Sequence, residues 1–176
     1  MVADLELLDP DFFLPPVRGD FLNVLPGESA DAHLRRVHDR LAASLAAGFP
    51  PVIEFRSFSA QPKAESKDGY LWEGLCAHYV VVAGVGEVST VGFPLRLADP
   101  YTGRVIDAFA YAERHRAFTA TKDFTPDAEG KPKWEWISGY PYLLVLLPQI
   151  PLKIQKEPWH DRTTVTLAYA VYRGGP

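Results

Sequence analysis

The chain predicts an α+β fold, one main helix packed on an antiparallel barrel-like sheet. Three observations point there. One segment, Ser29 to Ala47, carries apolar residues at helical spacing; several short runs of β-branched and aromatic residues follow it; and most links between those runs are short. Short links favour antiparallel pairing, because parallel strands need a long crossover. One helix followed by many strands is also not the alternation that builds a parallel sheet. The chain has 176 residues, 47% hydrophobic and 23% charged, which is ordinary for a single globular domain. The expected division is an extended lead-in over residues 1–28 and a helix plus sheet over residues 29–176.

Residues 1–28 mix Asp, Pro and large apolar side chains, and Pro10, Pro15, Pro16 and Pro26 break any long helix there. The helix itself has a cap signal in Ser29, an acidic first turn in Asp31, and Leu34, Val37, Leu41 and Leu45 along one face. Gly48 ends it and Pro50-Pro51 forbids its continuation. Val52 to Phe58 reads as a strand and the polar Ser59 to Trp72 as an exposed loop. Leu75 to Val85, Thr90 to Ala98 and Gly103 to Phe109 read as strands, with Pro94 marking an edge or a bulge and Pro100-Tyr101-Thr102-Gly103 a turn. Tyr111 to Phe118 reads as a short helix and Thr121 to Lys133 as a second polar loop. Trp134 to Ile137, Tyr142 to Leu147 and Thr163 to Arg173 complete the strands, the last with Val165, Leu167, Tyr169 and Val171 on one face.

Composition excludes several function classes. The net charge is -4, and the acidic excess is N-terminal: residues 1–60 hold 9 Asp+Glu against 5 Lys+Arg. Without a basic patch, nucleic acid is not an expected partner. Cys76 is the only cysteine, so an internal disulfide and the multi-cysteine zinc sites are excluded. No cofactor motif is present: Gly84-Val85-Gly86 lacks the third glycine and the helix of a dinucleotide loop, and His33 and His38 lack the spacing of a metal pair on one helical face. The start, Met-Val-Ala-Asp-Leu-Glu, is not a secretory signal as it stands, which leaves a cytoplasmic location as the default expectation. The most apolar run, Tyr140 to Leu152, is cut by prolines and too short to span a bilayer.

The chemistry-bearing candidates are His78, Asp99 and Cys76. His78 opens the run Cys76-Ala77-His78-Tyr79-Val80-Val81-Val82, and Asp99 closes the next one at Ala98-Asp99-Pro100-Tyr101-Thr102-Gly103. In an antiparallel pair the start of one strand lies near the end of the next, so an imidazole and a carboxylate meet there. That is the base and orienter of a nucleophilic triad. A structural reading stands beside it, with His78 bonded to a backbone carbonyl and Asp99 bracing the Asp-Pro turn. Cys76 shares a face with His78, but residues two apart on a strand are ~6–7 Å apart at Cα, whereas a thiolate–imidazole pair wants ~3 Å. A lone strand cysteine commonly serves as a small buried apolar residue. Tyr70, Trp72, Tyr101, Trp134, Trp136, Tyr140 and Tyr142 suit either a binding groove or loop anchoring. His115 and His160 have no evident partners.

Gly48-Phe49-Pro50-Pro51-Val52-Ile53, then Ala77-His78-Tyr79-Val80-Val81-Val82-Ala83-Gly84, then Ala98-Asp99-Pro100-Tyr101-Thr102-Gly103 resembles, in that order, the C-terminal half of papain-like cysteine peptidases of the bacteriocin-processing (double-glycine leader) type. The resemblance covers roughly residues 34–109. It implies a papain-like fold, His78 as general base, Asp99 as the residue orienting it, and a peptide or protein as partner. The family's nucleophilic cysteine lies near the start of a helix upstream of the histidine, with an oxyanion-stabilising glutamine a few residues before it. Residues 1–60 hold neither cysteine nor glutamine; Gln61 is the first glutamine. Ser29 starts a helix, but that helix matches the family's later one. The expectation is therefore a peptidase-related domain without its own nucleophile, either degenerate or separated from an upstream segment that carries it. The rivals are a live cysteine or serine hydrolase built on His78 and Asp99, and a non-enzymatic interaction module.

Overall fold

Nine strands and one helix make up the computed structural model of the chain, which describes residues 17–62, 70–112, 121–126, 132–137, 143–146 and 162–173. In order they are β1 (Val17–Phe21), α1 (Ala30–Ala46), β2 (Val52–Pro62), β3 (Tyr70–Val85), β4 (Gly92–Asp99), β5 (Arg104–Tyr111), β6 (Thr121–Pro126), β7 (Pro132–Ile137), β8 (Leu143–Leu146) and β9 (Arg162–Arg173). The fold is α+β with an antiparallel sheet, as the sequence predicts. No helix among the described residues is long and apolar enough to cross a membrane.

Local chemistry sets both ends of α1. Ser29 has extended backbone and its hydroxyl accepts from the Ala32 N–H, with Asp31 in the first turn. At the other end Gly48 adopts φ +80°. Its N–H donates to the Leu45 carbonyl while the Phe49 N–H reaches back to the Ser44 carbonyl, the double closure that a left-handed residue permits. Leu34, Val37 and Leu41 are buried as expected, and Ser44 joins them in place of Leu45. The Ser44 hydroxyl donates to the Phe49 carbonyl and accepts from the Arg173 N–H, tying the end of the helix to the end of β9.

The lead-in contains a strand that its proline content concealed. β1 pairs with β9, after which Leu22 drops into the core at 0% exposure and its carbonyl accepts from Nε2 of the buried His33. Burial lowers the His33 pKa below the usual 6.5. Glu28 takes two bonds from the Arg36 guanidinium and one from the Leu25 N–H, which fastens the connection into α1.

The pairings turn the sheet back on itself. β2 pairs with β3 on one side and β9 on the other, so β2–β3–β4–β5–β8–β9 run as a ring of antiparallel neighbours. β1 extends the sheet beside β9, and the β6–β7 hairpin joins β3 through a short parallel pairing. Three register shifts, at Ser57/Phe58, Glu54/Phe55 and Val82/Gly84, supply the bends that such a course requires. Inside lies one cluster in which Leu34, Val37 and Leu41 of α1 meet Ile53, Phe55, Val80, Val82, Phe93, Leu95 and Leu97.

Several expectations need correcting. The polar stretch 59–72 is not all loop: β2 continues to Pro62 and β3 begins at Tyr70, paired throughout. Of the expected loop Thr121 to Lys133, Thr121–Pro126 form β6 and Pro132 and Lys133 open β7, while residues 127–131 lie outside the described residues. In both cases backbone hydrogen bonding carries the pairing, and the ladder needs no apolar pattern. Tyr111 ends β5 instead of starting a helix, and residues 113–118 of that expected helix lie outside the described residues. Nor does β9 keep one core face. Ala168 has no partner in β2, since Glu54 faces Tyr169 and Phe55 faces Leu167. The extra residue flips the alternation, so the buried side chains are Leu167, Ala170 and Tyr172, while Tyr169 and Val171 are only half-buried.

Gly92 marks a tight backbone crossing in the sheet. A Cβ there would stand 2.2 Å from the Ala110 carbonyl oxygen and 2.6 Å from the Phe109 ring. A backbone oxygen cannot yield as a side-chain tip can, so Gly92→Ala is expected to cost about 1–3 kcal/mol. A thermal melt checks this, and an unchanged midpoint would contradict the crossing.

Candidate functional site

Alternation brings His78 and Asp99 to the same end of the core. Val82, Val80 and His78 follow one another on the inward face of β3, and Leu95, Leu97 and Asp99 do so on β4. Each apolar row thus ends in one polar residue, and the antiparallel register between Val81 and Ala98 sets the two side by side. His78 Nε2 lies 2.7 Å from Asp99 Oδ1; the imidazole is 14% exposed and the carboxylate 0%. The floor beside them is apolar, since Phe55, opposite His78 on β2, is buried.

The turn after β4 holds the carboxylate. The Tyr101 N–H donates to Oδ1 at 3.0 Å and the Thr102 hydroxyl to Oδ2 at 2.7 Å. Gly103, at φ +67°, closes the turn with its N–H on the Asp99 carbonyl, a conformation that favours glycine. Burial would raise the Asp99 pKa, but the bonds from Thr102, Tyr101 and His78 outweigh it and hold the group below its usual value. A carboxylate only accepts, so the proton in the His78–Asp99 bond sits on Nε2. In the neutral ring the lone pair then lies on Nδ1, and no hydrogen bond among the described residues reaches that atom. The Tyr101 ring stands edge-on to the imidazole, 6.4 Å between centroids, and is 71% exposed. Chemically, the arrangement is an oriented base beside an exposed aromatic ring, able to take a proton at Nδ1 with Asp99 stabilising the resulting cation.

Other candidates fall elsewhere. Cys76 lies on β3 opposite Ser57, two residues before His78, and its side chain is outside the described residues. Ser57 is fully buried and hydrogen-bonded or otherwise engaged. Ser29 and Ser44 serve the ends of α1. His38 meets Asp39 through Nδ1 and the Gly86 carbonyl through Nε2, with its ring edge-on to Phe93, so it pins α1 to the link after β3. No group of three metal-ligating side chains occurs among the described residues. Tyr70, Trp72, Trp134 and Trp136 lie on strands with side chains outside the described set, as do Tyr140, Tyr142, His115 and His160 altogether.

Sequence reading missed two features. One is Thr102, whose place three residues after an aspartate in a Pro-Gly turn was the available signal. The other lies on the opposite face of the sheet, where Tyr79 and Arg56 both donate to Glu54 at 2.6 Å. Glu54 is 6% exposed there, and its bond pushes the Tyr79 pKa up to about 12. No protein-family model matches the chain, and no curated protein or solved structure matches it.

Proposed function

We propose that this chain is a peptidase-related domain of the papain-like, bacteriocin-processing type that keeps the base and its orienter, lacks a nucleophile of its own, and holds a peptide beside them. The observation that carries the reading is the His78–Asp99 bond, which turns Nε2 to the buried carboxylate and leaves Nδ1 without a hydrogen bond among the described residues. Its support is the order of parts: a helix, the Gly48-Phe49-Pro50-Pro51-Val52-Ile53 passage into β2, the His78 strand and the Asp99 turn follow one another as the resemblance implies. Two serines upstream of β2, Ser29 and Ser44, are engaged at the ends of α1, and Cys76 stands two residues from His78 on one strand, ~6–7 Å away at Cα where a thiolate–imidazole pair wants ~3 Å between heavy atoms.

The test is a peptidase assay joined to a thiol-directed active-site probe, with a peptide ending in Gly-Gly as both substrate and ligand. Turnover is expected to be absent and Cys76 labelling independent of His78. Binding, followed by tryptophan fluorescence, is expected to weaken about ten-fold in Tyr101→Ala, the loss of about 1.4 kcal/mol of contact. His78-dependent turnover with labelled Cys76 would make the domain a live cysteine hydrolase. No binding to any peptide, with no turnover, would remove the peptide-holding role.

A further inference from the structure

The carboxylate of Asp99 has two oxygens with different duties. Oδ1 receives both His78 Nε2 and the Tyr101 N–H, while Oδ2 receives the Thr102 hydroxyl. The Tyr101 donor is backbone and survives any side-chain change. The Thr102 donor is a side chain, and it is the one described contact on Oδ2. Without it, the carboxylate, itself fully buried, keeps an oxygen with no donor among the described residues, and a buried acceptor in that state favours protonation or rotation. Either outcome undoes the bond on the other oxygen: a protonated or turned carboxyl no longer demands that His78 carry its proton on Nε2.

We propose that Thr102 is a positioning residue of this site: its hydroxyl anchors Oδ2 of Asp99, which keeps His78 in the Nε2-protonated tautomer with Nδ1 as the base. The hydrogen bond of Thr102 is to Asp99 and not to the imidazole, so it acts through Asp99. It is exposed and stands outside the core, so its substitution removes one hydroxyl and leaves the packing in place. The inference deepens the site on which the proposed function rests, but its readouts need no substrate, and so it stands or falls separately from peptide binding.

The experiment is NMR on the full chain labelled with ¹⁵N and ¹³C. Thr102→Val keeps the side-chain shape and deletes the hydroxyl. The Asp99 carboxyl is expected to titrate higher by about one pH unit, and the Nε2-protonated share of His78 to fall, with both restored in Thr102→Ser. Tyr101→Phe, which keeps the backbone donor, is expected to leave both signals as in the parent. Unchanged Asp99 titration and His78 tautomer in a folded Thr102→Val would overturn the proposal. So would a Thr102→Ser chain that fails to restore them, which also covers the case in which the valine variant does not fold.

Discussion

Phe93→Ala is expected to lower the unfolding free energy by about 3–5 kcal/mol, the usual range for a fully buried phenylalanine cut to its Cβ. Phe93 is 0% exposed on β4, faces Ala110 across the ladder with β5, and takes the edge of the His38 ring at 5.2 Å. Its small cross-strand neighbour cannot expand into the vacated volume, so a cavity remains beneath α1. His38 also loses the surface against which its ring is set, although its bond to Gly86 persists. Urea unfolding followed by circular dichroism checks the magnitude, and Phe93→Leu is expected to lose markedly less because it refills most of the space. Phe93 lies six residues from Asp99 along an extended strand, about 20 Å away. The His78–Asp99 bond is therefore expected to persist in the variant, and the two perturbations to add when combined.

Acid is expected to unfold the chain in two stages that belong to different groups. His33 is buried and donates Nε2–H to the Leu22 carbonyl; burial, with the Arg36 charge adding to it, depresses its folded pKa below 6.5. Below pH 6.5 the unfolded chain takes up a proton that the folded one resists. This contribution is complete above 6.5 and is lost as pH falls through the folded value. The second stage is carboxylate. Hydrogen bonding from Arg36 holds Glu28 at about 2, against 4.5 when free, and the bonds on Asp99 hold it below 3.8. Their contribution is present above those free values and is lost as pH falls through the folded ones. Water at the rim of the Glu28–Arg36 pair screens it, so Glu28 is worth about 1–2 kcal/mol, not the full unscreened shift. Stability measured by urea midpoint from pH 7 to 2 is expected to decline below 6.5 and again below 4.5. Glu28→Gln is expected to flatten the second limb and leave the first, and equal slopes in both chains would contradict the assignment.

The parts of the fold that were legible in the sequence are those settled within a few residues. Ser29, Asp31 and Gly48 mark the limits of α1 because capping and left-handed backbone are local chemistry. The His78 and Asp99 strands were legible because one holds a run of consecutive valines and the other alternates Phe93, Leu95 and Leu97 with other residues between turn signals. β6 and β7 were not. Thr121-Lys122-Asp123-Phe124-Thr125-Pro126 has too little apolar content to write an alternation, and its strand character comes from the partner it finds. The face switch at Ala168 was hidden for a related reason: nothing in the residue itself distinguishes a bulge from a paired position.

For the site, the sequence alone determined that an imidazole and a carboxylate end two successive inward rows, and that no cysteine or glutamine stands in residues 1–60. Tertiary structure decided the rest: that β3 and β4 pair in the register joining Nε2 to Oδ1, that Thr102 and the Tyr101 N–H complete the carboxylate's shell, and that β2 bridges β3 and β9. The reason lies in the reach of the forces. Caps, turns and alternation are set by sterics and hydrogen bonds between near neighbours, whereas register is chosen by the sum of packing and pairing over the whole sheet. A shift of one residue would send His78 to the opposite face from Asp99.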